Sequence, residues 1–239
     1  MITHTLALLL FVSAIEFDED PSRPKLFPMN LSQRTWSPNT LLQLPSKELE
    51  TEQLILKGVQ PETDLEHQII NDVRWQEGAL WGEPRPGHPE GKVIYHIHDV
   101  LKNVDQACSD PTMRQQLRLI TIIHDTFKHL EEKKRPRTDW KKHHAVLAQR
   151  FAEEYIDDEA VLSTIKLHDN AYYAWCATQA GLKRQANILI ARLLNQMGEH
   201  LQLYYLFFKC DTQTGDKFQQ PVSWFERLMS DKITPIYWP

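Results

Sequence analysis

Glycine and cysteine are both scarce in this chain, at 8 and 3 of 239 residues. The cysteines, Cys108, Cys176 and Cys210, are scattered, form no C-x-x-C pair and have no metal-ligand spacing. That argues against a thiolate metal site or a disulfide framework and fits small buried thiols in a cytoplasmic protein. No excess of basic residues is present: the net charge is −5 and the pI about 6.1. A general nucleic-acid binder needs a basic footprint, so that class is not expected. A small phosphorylated substrate needs only a local positive site and stays open.

Long hydrophobic runs are missing too. The longest near the start, Leu6 to Val12, is too short to span a bilayer, and no basic side chain precedes it. No membrane association is expected. Val12-Ser13-Ala14 has the small-residue pattern of a signal-peptidase site, so a secretory leader over residues 1–14 stands as the alternative to an extension of the domain. Alternating valine- or isoleucine-rich segments, internal repeats and low-complexity tracts are all absent, which leaves little room for a sheet or a repeat architecture.

What is there reads as helix. Hydrophobic residues make up 41% and charged residues 25%, the balance of an ordinary globular protein. Residues 1–46 form an irregular extension, broken by Pro21, Pro24, Pro28, Pro38 and Pro45. Residues 47–239 form a single all-α domain. Helical patterning starts near Lys47 and pauses at Gly58 and Pro61; Asp64 is then placed to cap a helix running through Asp72 and Trp75. The glycine- and proline-rich segment Gly82 to Gly91 is a loop. Val93, Ile94, Ile97, Val100, Leu101 and Val104 repeat at helical spacing. A second helix is expected over Leu117 to Leu130, followed by the mixed-charge loop 131–137. A third, after Asp139, carries Val146, Leu147, Phe151 and Tyr155. A fourth opens at Asp157-Asp158 and runs through His168 toward Trp175, and a fifth runs from about Leu182 past Leu206.

The 11 histidines are unevenly spread, with most between His88 and His168. His124-Asp125 is the informative pair. A neutral imidazole nitrogen and an anionic oxygen suit the same divalent cation. Adjacent helical residues diverge by about 100°, so both reach one ion only if it lies between their directions, and Asp125 could then bridge two ions. The stretch Ile120-Thr121-Ile122-Ile123 before the pair places it in the interior, where a buried His and Asp need partners that a metal supplies. Lys128 follows Asp125 by three residues on the same face and offers an ammonium to a phosphate oxygen. His96, His144, His168 and Asp211 are further ligand-type residues with apolar flanks. A single histidine on a helix is more often a hydrogen-bonded core or surface residue than a ligand. The ordered series His, His-Asp, His, His, Asp over successive helices is the signal.

That order resembles the HD superfamily of metal-dependent phosphohydrolases, which fold as helical bundles. The resemblance covers about Trp75 to Asp211. His124-Asp125-Thr126-Phe127-Lys128 looks like the family's HDxxK signature. Gly87-His88-Pro89-Glu90-Gly91-Lys92-Val93-Ile94-Tyr95-His96 is similar to the segment that opens the HD domains of bacterial tRNA CCA-adding enzymes. The resemblance implies a mononuclear ligand set of His96, His124, Asp125 and Asp211. In dinuclear members two extra histidines serve a second ion, here His168 and His144, with His143 the alternative to His144. It implies one or two divalent ions (Mn, Fe, Co, Ni, Mg or Zn) that acidify water, with Asp125 and Lys128 catalytic and a small phosphorylated compound as substrate. Arg85 and His88 are candidates for substrate contact, beside the reading of their loop as a rigid turn.

The chain departs from the pattern in places. No nucleotidyltransferase domain fits before residue 75. Phe127 replaces a common glycine. Asp169 follows His168 where the HD-GYP phosphodiesterases have a second histidine, and no GYP triplet follows, so cyclic-dinucleotide hydrolysis is not expected. Asp169 and Tyr172 are expected only to line the pocket. Two rival functions share the residues: a mixed-valent diiron oxygenase of the same superfamily, and a non-catalytic helical interaction protein.

Overall fold

The computed structural model describes residues 53–55, 57–132 and 140–237. The expected N-terminal extension, residues 133–137 of the mixed-charge loop and residues 138 and 139 lie outside the described residues. Within them the chain is an all-α bundle; the only strand-like pairing among them is the isolated bridge between Arg85 and His88. No helix among them is long and apolar enough to cross a membrane.

Two short helices, α1 (Asp64–Ile70) and α2 (Val73–Ala79), stand where one helix through Trp75 was expected. Their caps explain the break. Thr63, not Asp64, caps α1 by accepting from the Glu66 amide, and Asp72 starts α2 by accepting from the Arg74 amide. Helix α3 (Val93–Ala107) buries Val93, Ile94, Ile97, Val100, Leu101 and Val104 along one face, as their spacing predicts. Helix α4 (Pro111–Ile123) starts at the Asp110 cap with proline in its first turn. It ends at Ile123, so the expected helix over Leu117 to Leu130 is interrupted by a turn at 124–127 before a short 3-10 segment, Lys128–Leu130.

Helix α5 (His144–Ala152) stops short of Tyr155. The expected fourth helix is two, α6 (Glu159–Leu167) and α7 (Asn170–Gln179), with the chain turning at His168-Asp169. The expected fifth is also two, α8 (Lys183–Met197) and α9 (Leu201–Thr212), separated at Gly198, whose φ of 50° favours glycine. A last helix, α10 (Gln220–Leu228), was not foreseen; Pro221 in its first turn and buried Val222 and Phe225 are the signals that mark it.

Helix α9 is the axis of the bundle. Leu201, Leu203 to Phe208 and Cys210 are all buried, and α9 packs on α3, α4 and α6. Each such apolar side chain is worth about 1.5–3 kcal/mol on full burial. The three helices around α9 carry or end at His96, His124 and His168, while His144 opens α5. All three cysteines are free and buried.

Candidate metal centre

The His124-Asp125 pair sits at the C-terminal end of α4. His124 caps the helix, and Asp125 lies in the turn that follows. Local hydrogen bonds hold that turn: the Thr126 hydroxyl donates to the Ile123 carbonyl (2.9 Å) and the Lys128 amide to the Asp125 carbonyl (3.1 Å). Gly78 of α2 presses against it so closely that a Cβ there would fall 1.5 Å from the Thr126 carbonyl oxygen, so only glycine fits. Phe207 of α9 packs beneath, its ring centroid 5.0 Å from that of His124.

The structure brings His96, His124, Asp125 and Asp211 to one point. His96 Nε2 lies 2.8 Å from Asp211 Oδ1 and 3.7 Å from Asp125 Oδ2; His124 Nε2 lies 3.4 Å from Asp125 Oδ2 and 3.8 Å from Asp211 Oδ1. Donor atoms about 2.1 Å from a common ion stand about 3.0–3.4 Å apart in octahedral or tetrahedral arrangements. The observed spacings bracket that range. On the other side of Asp125, His144 Nε2 and His168 Nε2 lie 3.2 Å from each other and 3.6 Å each from Asp125 Oδ1. Asp125 therefore offers one oxygen to each group. His144 rather than His143 is in reach: His143 caps α5 through Nδ1, with its Nε2 3.3 Å from the Tyr173 hydroxyl.

The outer nitrogens fix the ring orientations. His124 Nδ1 faces the Thr121 carbonyl (3.0 Å) and His168 Nδ1 the Ile165 carbonyl (2.8 Å). A carbonyl only accepts, so the hydrogen sits on Nδ1 and each Nε2 presents its lone pair to the centre. His144 Nδ1 is 3.2 Å from Glu131, and His96 Nδ1 is 3.5 Å from Glu90 and 3.4 Å from Thr214.

Protonation states match ligation. Burial, reinforced by the nearby Lys217 charge, lowers His96 to about 4, and burial likewise lowers His168. Burial works to raise the Asp125 carboxyl, but His124 and Lys128 outweigh it and hold it well below the usual range; Lys217 and His96 do the same for Asp211. At neutral pH the imidazoles lowered in this way are uncharged and the carboxylates ionised.

Two buried atoms, His124 Nε2 and Asp125 Oδ1, have no hydrogen-bond partner although each side chain is almost fully enclosed. An orphaned buried acceptor costs about 1–3 kcal/mol, and one lies in each of the two groups. The residues present fit divalent cations: mixed imidazole and carboxylate donors, lone pairs converging, and unmet bonding capacity at the focus.

No protein-family model, curated protein or solved structure matches this chain.

The rim is cationic. Lys128 Nζ lies 2.5 Å from Asp125 Oδ2, and Lys217, from the loop after α9, lies 2.9 Å from Asp211 Oδ1. Burial disfavours the Lys128 ammonium, but Asp125 and Asp169 outweigh that and raise its pKa. His88 stands at the same rim, its ring 5.6 Å from His96, lowered by burial and by the charges of Lys128 and Lys217. Arg85, the other expected substrate contact, is placed differently. It is exposed, donates to the Glu83 carbonyl and stacks over Trp81, contacts that all fall within its own loop. Open surface hollows of about 490 and 480 Å³, along residues 181–189 and beside Trp175 and Trp224, contain none of the cluster residues.

Sequence reasoning passed over Lys217, Glu90, Glu131 and Thr214. The last three face the outer ring nitrogens of His96 and His144, a placement with no sequence periodicity.

Proposed function

We propose that this protein is an HD-type metal-dependent phosphohydrolase acting on a small phosphomonoester or phosphodiester. One observation carries the reading: a buried carboxylate, Asp125, divides two groups of converging imidazole nitrogens, each with an orphaned atom, beneath a rim of lysines. His96, His124, Asp125 and Asp211 would hold one divalent ion, and Asp125, His144 and His168 would contribute to a second. Such an ion supplies Lewis acidity, making water a nucleophile near neutral pH and polarising a phosphoryl oxygen.

The remaining work falls to side chains. Lys128 keeps its charge in a partly buried position, 18% exposed, where an ammonium is worth more to a phosphate than it is in water. Lys217, similarly placed at 19% exposed on the Asp211 side, can take a second non-bridging oxygen. Each lysine is tethered to a carboxylate of the cluster, so the anionic end of a substrate is drawn to the same carboxylates that would bind metal. With Nε2 turned inward and Nδ1 occupied, neither His144 nor His168 presents a free N–H to a leaving oxygen.

The experiment is an assay of manganese- or cobalt-loaded protein against aryl phosphate mono- and diesters and a panel of nucleotides. Hydrolysis that disappears in Asp125→Ala supports the reading. Stoichiometric metal without hydrolysis of any of these esters rejects it; iron with dioxygen uptake would then favour the oxygenase, and absence of bound metal the non-catalytic protein.

A further inference from the structure

The turn that ends α6 copies the turn that ends α4. In each, a histidine caps the helix with αR backbone angles, its Nδ1 bonds the carbonyl three residues back, and an aspartate follows at once. The first pair is His124-Asp125; the second is His168-Asp169. We propose that Asp169 is a metal ligand, the fourth protein donor of the second site, an inference that rests on the cluster's holding metal at all.

Distances carry the first part of the case. Asp169 Oδ2 lies 3.3 Å from His144 Nε2 and 3.5 Å from His168 Nε2. Together with the 3.2 Å between those nitrogens and their 3.6 Å spacings to Asp125 Oδ1, this makes a compact four-donor set. The four imidazole-to-carboxylate distances here run from 3.3 to 3.6 Å, against 2.8 to 3.8 Å around His96 and His124. Asp125 Oδ1, buried and without a hydrogen-bond partner, points into it.

The second part is what Asp169 does not do. It stands at the N-cap position of α7, yet its side chain makes no capping hydrogen bond. Asp72, Asp110 and Asp158, at the starts of α2, α4 and α6, all accept from backbone amides. Capping by aspartate is worth about 1 kcal/mol, and Asp169 forgoes it to face two imidazoles. The Tyr173 hydroxyl, one turn along α7, donates to Asp169 Oδ2 at 3.0 Å, the kind of outer contact that orients a ligating carboxylate.

The consequence is a near-symmetric centre. Each site has two imidazoles, one terminal carboxylate and one oxygen of Asp125. The terminal carboxylates, Asp211 at 19% and Asp169 at 28% exposed, face the solvent side, whereas Asp125 is enclosed at 4%. Matched donor sets take the same metal at both sites rather than a hard and a soft ion. Three carboxylates against two divalent ions leave the centre positive, which suits an anionic substrate.

Metal content and spectroscopy test this without reference to turnover. Protein loaded with Mn²⁺ and dialysed is analysed for bound ions and by electron paramagnetic resonance. The wild type should hold two ions with a spin-coupled spectrum. Asp169→Asn should hold one ion with an isolated Mn²⁺ spectrum, and Tyr173→Phe should keep both while weakening the second by about tenfold. Circular dichroism of the metal-free variants checks that the bundle is intact; should Asp169→Asn fail to fold, the Tyr173→Phe titration decides. Two tightly held, coupled ions in Asp169→Asn, or an unchanged second affinity in Tyr173→Phe, would overturn the role of Asp169. A single ion in wild type and variant alike would also overturn it, yet leave a mononuclear hydrolase standing. No ion in the wild type would remove the metal reading itself.

Discussion

Two buried polar regions of this protein face opposite demands. Beneath α1, Arg118 of α4 forms a bidentate pair with Glu66, its Nε 2.8 Å and Nη2 2.9 Å from the two carboxylate oxygens. Nη2 also donates to the Gln60 carbonyl, Nη1 reaches Glu62, and Glu66 accepts the Glu62 amide. Neither side chain leaves a buried atom without a partner. About two turns further along the chain, at the end of the same helix, His124 and Asp125 each leave one. Burial is equally complete in both places. The first region is closed by its own groups, whereas the second is left with bonding capacity that a metal ion could meet.

The contrast makes measurable demands. The largest effect is expected at the closed region. Arg118→Met strands the Glu66 carboxylate and should cost about 3–5 kcal/mol by urea unfolding, the same with or without metal. A loss below about 1 kcal/mol would mean the pair is not self-sufficient. Next comes the open region. Mn²⁺ at about 100 times its Kd should stabilise the wild type by about 2.7 kcal/mol, reversibly with a chelator. Asp125→Ala should show no such shift; an equal rise in Tm with the variant would place the ion elsewhere.

A second closed network gives a smaller, pH-dependent effect. Asp72 caps α2 and accepts the Tyr155 hydroxyl at 2.7 Å. Burial acts to raise its pKa, but the hydrogen bonds from Arg74 and Tyr155 outweigh it, so the folded value lies below the ordinary one. A depressed carboxyl contributes its stability above the unfolded pKa and loses it as pH falls through the folded value. Asp72→Ala should therefore cost about 2 kcal/mol near pH 7, and the gap to wild type should close as the solution is acidified below about pH 4. A gap that widens with acid would contradict this. The smallest effect on the fold is expected at the rim. Lys217→Met should cost about 1 kcal/mol or less, while raising KM for an aryl phosphate about tenfold, or about 1.4 kcal/mol. An unchanged KM would remove Lys217 from substrate binding.

The all-α class was legible because apolar residues in α3 recur at helical spacing and proline, in the helices that follow, is confined to first turns. The helix breaks were not. Residues 124–127 are compatible with a helix. The break appears only where Gly78 lies against the Thr126 carbonyl and the His124 and Thr126 side chains bond backbone oxygens. The same holds at His168-Asp169.

Which residue types gather was readable from the chain alone, because a histidine or aspartate among apolar neighbours must find a partner wherever the fold puts it. Which atoms face one another was left to the packing of α3, α4, α6 and α9. Only that packing, together with α5, turns His144 Nε2 toward Asp125 and His143 Nε2 toward Tyr173, divides Asp125 between two groups, carries Lys217 to the rim and leaves the Arg85 guanidinium on Glu83 and Trp81. Separations of 115 residues, as between His96 and Asp211, are closed by long-range burial, which local sequence pattern does not encode.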